Sequence, residues 1–152
     1  MSELMKVVVR YSAGEVVKGT TQDFYPNRPV FHLLPADGGP GREIRCKELK
    51  AVFFVKDFVG DARREDIRGF IEGPAETTQG RKVAVLFRDR ELLCGYSLGF
   101  SAEREGFFLF PADAGSNNHR VYVLRSATTQ IKGGPAAEEL ARKTLQAGNQ
   151  AA

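Results

Sequence analysis

The sequence predicts an all-β protein with minor helix, laid out as two tandem five-stranded small β-barrels. Three observations carry that expectation. The chain repeats itself over most of its length. Each copy holds five short apolar runs separated by turn residues. A glycine also recurs at one place inside the second run of each copy, Gly19 and Gly95.

The repeat is read directly from the residues. KVVVRYSAGEVVKGTTQDFYPNRPVFHLLPAD, starting at Lys6, returns without a gap as KVAVLFRDRELLCGYSLGFSAEREGFFLFPAD, starting at Lys82. The pairs Val7/Val83, Val9/Val85, Glu15/Glu91, Phe24/Phe100, Phe31/Phe107, Leu33/Leu109 and Asp37/Asp113 are identical. Tyr11/Phe87, Val16/Leu92 and Leu34/Phe110 keep apolar character. A repeat of this period sets the architecture before any local reading does. It implies an internal duplication, with halves too small to be comfortable alone and therefore sharing an interface.

The elements follow in order. Lys6–Tyr11 is a β-branched strand, and Ser12-Ala13-Gly14 is a three-residue hairpin loop. Arg88-Asp89-Arg90 holds the same place in the second copy. The second strand is expected to run from Glu15 to about Phe24, bent at Gly19, because a glycine inside a strand marks a bulge or sharp bend. A long bent strand serves both sheets of a small closed barrel. A third strand spans Val30–Leu34, matched by Phe107–Phe110. The fourth, Glu43–Cys46, pairs with Arg120–Leu124 after a one-residue slip, and the fifth, Ala51–Val55, with Thr128–Ile131. Between the copies, Asp61 caps a helix whose Ile67, Phe70 and Ile71 form one apolar stripe, ended by Gly73-Pro74. Pro135–Ala147 is a second helix, and the chain frays from Gly148. The expected organisation is thus residues 1–58 as the first barrel, 59–80 as linker helix and loop, 81–133 as the second barrel, and 134–152 as C-terminal helix and tail.

Each copy resembles a small barrel of the Sm-like or Src-homology type, on the strength of its apolar first strand, turn, and glycine-bent second strand leading to Asp23-Phe24 or Gly99-Phe100. The whole chain resembles an uncharacterised family of bacterial proteins made of two such units. The resemblance implies the fold and leaves function open, since small barrels serve many ends.

Composition narrows the function. The 152 residues carry 22 Lys and Arg against 19 Asp and Glu, with 42% hydrophobic and 27% charged residues. The basic excess is slight and not gathered into a stripe, unlike that of most nucleic-acid binders. Cys46 and Cys94 are too few for a disulfide framework and read as buried free thiols in apolar strands. The N-terminus shows no signal peptide and no apolar run reaches membrane-spanning length, so a cytoplasmic protein without membrane insertion is expected.

No phosphate loop, nucleophile elbow or zinc-protease motif is present, and His32 and His119 have no sequence-visible partners. The expectation is no enzyme, no metal and no cofactor. Arg64 and Arg68 form an RxxxR run ahead of a barrel, a weak and partial similarity to PilZ-type domains, which bind cyclic di-GMP. Two forked guanidiniums suit phosphate and guanine. The second motif of those domains fails here: Gly99 replaces its acid or amide before Ser101, and no glycine follows at the required place. Asp23 and Asn27 fit the loop pair of Sm-like RNA binders in the first copy only, and Tyr25 and Arg28 supply a stacking surface. Asn117 and Asn118 enrich one turn in hydrogen-bonding groups. These residues are the candidate ligand contacts. The favoured function is a non-catalytic binding or regulatory module for a protein partner; the alternatives are a degenerate cyclic-dinucleotide sensor and an Sm-like nucleic-acid binder.

Overall fold

The computed structural model of the chain describes residues 4–58, 76–77, 80–98, 104–112 and 117–150. Eleven strands and one α-helix occur among them: β1 (Met5–Tyr11), β2 (Val16–Thr21), β3 (Val30–Pro35), β4 (Arg42–Arg45), β5 (Leu49–Val55), β6 (Glu76–Thr77), β7 (Gly80–Phe87), β8 (Leu92–Ser97), β9 (Gly106–Pro111), β10 (Asn118–Leu124), β11 (Thr128–Gly133) and α1 (Pro135–Gln150). Short 3-10 turns at Cys46–Glu48 and Arg125–Ala127 join β4 to β5 and β10 to β11. The expected linker helix, with Ile67, Phe70, Ile71, Arg64 and Arg68, lies outside the described residues.

All described strand pairs are antiparallel, in the order β11-β7-β8-β9-β10-β5-β1-β2-β3-β4, with β6 beside β7. The two halves use the same local register. Val7 faces Gly19 and Gly19 faces Pro35; Val83 faces Gly95 and Gly95 faces Pro111. The glycines mark equivalent crossings. A Cβ on Gly19 would meet the Leu34 carbonyl oxygen at 2.4 Å, and one on Gly95 the Phe110 carbonyl oxygen at 2.1 Å. Only a residue without a side chain lets the third strand cross so near.

The expected pair of closed barrels is corrected here: one continuous sheet runs through both halves, and it is not closed. The physical reason lies in the edges. β5 bonds β1 on one side and β10 on the other, so it cannot close on β4. β10 in turn is held between β5 and β9, which leaves it unable to close on β11. The strands that would have sealed each barrel seal the halves to each other.

That seam explains the composition of β5. Every residue of Leu49–Val55 is buried. Val52 and Phe54 enter the first core with Val7, Val9, Phe24, Phe31, Leu33 and Ile44. Ala51, Phe53 and Val55 face the second core with Val83, Val85, Phe87, Phe107 and Leu109. β10 splits its side chains likewise, Tyr122 and Leu124 to one core, Val121 and Val123 to the other. Alternation along a strand, which usually separates core from water, here separates core from core. Each fully buried aliphatic or Phe side chain contributes about 1.5–3 kcal/mol.

Several boundaries differ from expectation. β2 stops at Thr21, because the Asp23 carboxylate takes the backbone N–H of His32 and turns the chain before Phe24, which is still buried. Arg42 lies opposite Leu33 and Val121 opposite Leu109, so the fourth strands match as Arg42/Val121; the loop before β10 is longer, and the one-residue slip is too small. Cys46 sits in the 3-10 turn and is only half-buried, whereas Cys94 is buried in β8. The C-terminal helix continues through Gly148 to Gln150. A glycine costs about 1 kcal/mol in a helix, which is not enough to end one already docked by Ala137, Leu140 and Ala141.

Candidate functional site

The predicted contact residues fall in separate places. Asp23 anchors the loop after β2. One carboxylate oxygen accepts the His32 backbone N–H at 2.8 Å and the Thr21 hydroxyl at 3.1 Å; the other lies 2.6 Å from His32 Nδ1. Burial pushes the Asp23 carboxyl up, but the hydrogen bonds from His32 and Thr21 outweigh it and hold the carboxyl below its ordinary range. The His32 ring itself is exposed. Asn27 is exposed on the same loop, and the Arg28 guanidinium lies 4.7 Å from the centre of the Tyr25 ring. The two side chains foreseen as a stacking surface are thus brought together on one exposed loop.

Asn117 and Asn118 belong to the seam. The Asn117 side chain accepts from the Asp57 backbone N–H at 3.1 Å and donates to the Asp57 carbonyl at 2.7 Å, and its carbonyl accepts from Lys56 N–H. Asn118 pairs with Val55 in the ladder. Both are fastenings between the halves, which accounts for the turn's hydrogen-bonding wealth. Arg64 and Arg68 lie outside the described residues.

Among the described residues, no group of three or more His, Cys, Asp or Glu side chains is placed to hold a metal ion. Burial pushes the Cys46 thiol up, away from the reactive thiolate. No described helix is long and apolar enough to cross a membrane.

Sequence reading missed two features. Arg120, on the first-core side of β10, lies over both Phe54 and Phe108, 4.6 and 4.5 Å from their ring centres. One of its terminal nitrogens is 3.7 Å from Met5 Sδ. The two rings are neighbours, with centres 6.0 Å apart, and the guanidinium makes cation–π contacts with both, which helps hold the seam.

The second feature is a pair of unlike faces. On the outer side of the second half, Lys82, Ala84, Leu86, Leu92 and Cys94 are packed under α1, through Ala137, Leu140 and Ala141. The ammonium of Lys82, nearly buried, pairs with Glu138 of the helix. The matching positions on β1 and β2 are Lys6, Val8, Arg10, Val16 and Lys18. Lys6, Arg10, Val16 and Lys18 are exposed, whereas Val8 is half-buried and packs, with Phe58, against the second core. Phe58 lies among them; its carbonyl accepts from Lys18 Nζ at 2.9 Å, and its ring is 5.8 Å from Lys6 Nζ. Arg10 leans over Phe53. Among the described residues, Lys6, Arg10 and Lys18 form no ion pair. The alternation Lys6, Val8, Arg10 was visible in the sequence; which face lacks a cover was not, because only the packing of α1 decides it.

A family model matches residues 3–133, spanning β1 to the last residue of β11. The chain belongs to the family of unknown function DUF6982. No curated protein and no solved structure matches it. The DUF6982 match thus contains both halves of the sheet and both outer faces, while α1, which covers one of them, follows it.

Proposed function

We propose that this chain is a non-catalytic module that binds another protein, built from two Sm-like small-barrel units that arose by internal duplication and opened onto one another at β5 and β10. The shared register at Gly19 and Gly95 supports the duplication. The cytoplasm is the proposed location. The carrying observation is the exposed part of the β1–β2 face: three cations, Lys6, Arg10 and Lys18, beside exposed Val16. Its counterpart in the second half is covered by a helix and neutralised by Glu138. A surface that mixes apolar and cationic groups suits a protein partner with complementary charge.

The nucleic-acid reading rests on one loop, with Tyr25 and Arg28, and no basic stripe, and the cyclic-dinucleotide reading rests on Arg64 and Arg68 without a second motif. A photo-crosslinking side chain at Val16 tests the proposal in cells. A protein adduct that resists nuclease and disappears on K6E/K18E substitution is expected. A nuclease-sensitive adduct, or one indifferent to charge reversal, would overturn it.

A further inference from the structure

We infer that the exposed part of the β1–β2 face receives an acidic amphipathic helix, as β7, β8 and β11 receive α1. The inference rests on the protein-binding reading above and adds the partner's chemistry. The second half supplies the precedent within the same molecule. There, a helix contributes Ala137, Leu140 and Ala141 to the sheet face and Glu138 to Lys82. Lys6 is the identical residue at the equivalent position, and it has no carboxylate partner among the described residues.

The differences between the faces define what the ligand must carry. Arg10 stands where Leu86 does, and Lys18 where Cys94 does. Two apolar contacts have become two cations, one of which, Arg10, also feels the charge of Asp89, so the ligand needs more carboxylates than α1 offers and less apolar surface. Spacing sets the pattern. Lys6 and Arg10 are four residues apart on one strand, about 13 Å. Lys18 lies opposite Val8, midway between them. Carboxylates at i, i+4 and i+8 of a helix cover about 12 Å along one side. Leu or Ala at the adjoining positions would meet Val16, since Val8 and Phe58 are half-buried against the second core. An added strand is not an alternative here, because β1 is bonded on both edges, to β2 and β5.

The test uses the full chain and a synthetic helical peptide of about 18 residues, long enough to hold helix in water, with Glu at i, i+4 and i+8 and Leu beside them. Two controls accompany it: the same composition broken by central prolines, and a single-stranded DNA oligonucleotide. Saturable binding of the helical peptide is expected, weakened about tenfold by K6E/K18E and weakened further by salt. The charge-swapped peptide, with Lys for Glu, should recover binding to the K6E/K18E protein. Circular dichroism confirms that the variant folds, and K6R/K18R should bind like the parent. Equal binding of the proline peptide would overturn the helix. Absence of peptide binding would do the same, while the crosslinked adduct would still uphold the module. Displacement of the peptide by the oligonucleotide on the same cations would overturn both.

Discussion

Lys50 of β5 places its buried ammonium 2.7 Å from the carboxylate of Asp89, in the turn between β7 and β8. The pair joins the first half to the second. Glu91 stands 3.3 Å away, and the Phe87 ring lies beneath at 4.7 Å. Burial pushes the Asp89 carboxyl up, but hydrogen bonds from Lys50 and the Glu91 N–H, with the charges of Lys50 and Arg10, bring it below its ordinary range. A carboxyl whose folded value is depressed stabilises the fold above its unfolded value of about 3.9 and stops doing so as pH falls through the folded one. Asp89→Asn should therefore cost about 1 kcal/mol at pH 7, a modest figure because the carboxylate is half-exposed. Urea melts at pH 7 and near pH 2.5 check it: the difference between variant and parent should vanish in acid.

Phe108 and His32 hold equivalent places and should respond oppositely. The Phe108 ring meets Tyr122 at 5.1 Å and Phe24 at 6.1 Å and lies under Arg120. Phe108→Ala should cost about 3 kcal/mol, from lost packing and an arginine stripped of one ring. His32 is exposed, and His32→Phe should change stability by less than about 1 kcal/mol, the worth of its contact with Asp23. Equal losses at the two positions would mean that the seam does not depend on Phe108.

The hairpin turns offer a third comparison. Gly14 and Arg90 occupy the same turn position, and both have positive φ, 109° and 74°. Glycine takes that conformation freely, whereas a side chain costs about 1–2 kcal/mol there. Arg90→Gly should stabilise the protein by about 0.5 kcal/mol, the strain released less the added freedom of the unfolded chain. A thermal melt reads the sign; a destabilised variant would show that the Arg90 side chain supports the turn.

Much of this fold was legible because its signals are local. The hairpins, the glycine crossings and the core positions Val7, Val9, Phe31 and Leu33 follow from alternation and from residues recurring in two copies. Closure was not legible, because it depends on which edge finds a partner first. One signal did distinguish the edges: LKAVFFV of β5 is almost wholly apolar, as a strand buried on both faces must be, whereas TTQIKG of β11 is polar. The candidate site was harder to read. Asn117 looked like a ligand contact and is a fastening. Lys6 and Lys82 look identical in sequence, yet one is exposed and the other nearly buried beside Glu138, a difference made by α1 alone.

Gly19 and Gly95 give the last prediction, and the one most directly tied to the equivalence of the halves. Both face the first strand of their half and the crossing third strand, and an added Cβ would lie 2.4 Å from one carbonyl oxygen and 2.1 Å from the other. Neither obstacle is the end of a flexible side chain; each belongs to backbone already held in the ladder. Relief requires the third strand to move outward. In the first half that loosens Leu33, whose side chain also lies within 3.0 Å of the added atom, and in the second Leu109 in the same manner. Gly19→Ala and Gly95→Ala should each cost about 2–3 kcal/mol, the range for overpacking a core that cannot shift freely. Denaturant melts of the single variants should give losses of similar size. Hydrogen exchange should localise the loosening to β2–β3 in one variant and β8–β9 in the other. A glycine that tolerates alanine at no cost would show that its crossing is not as close as its counterpart, and that the two halves bend differently.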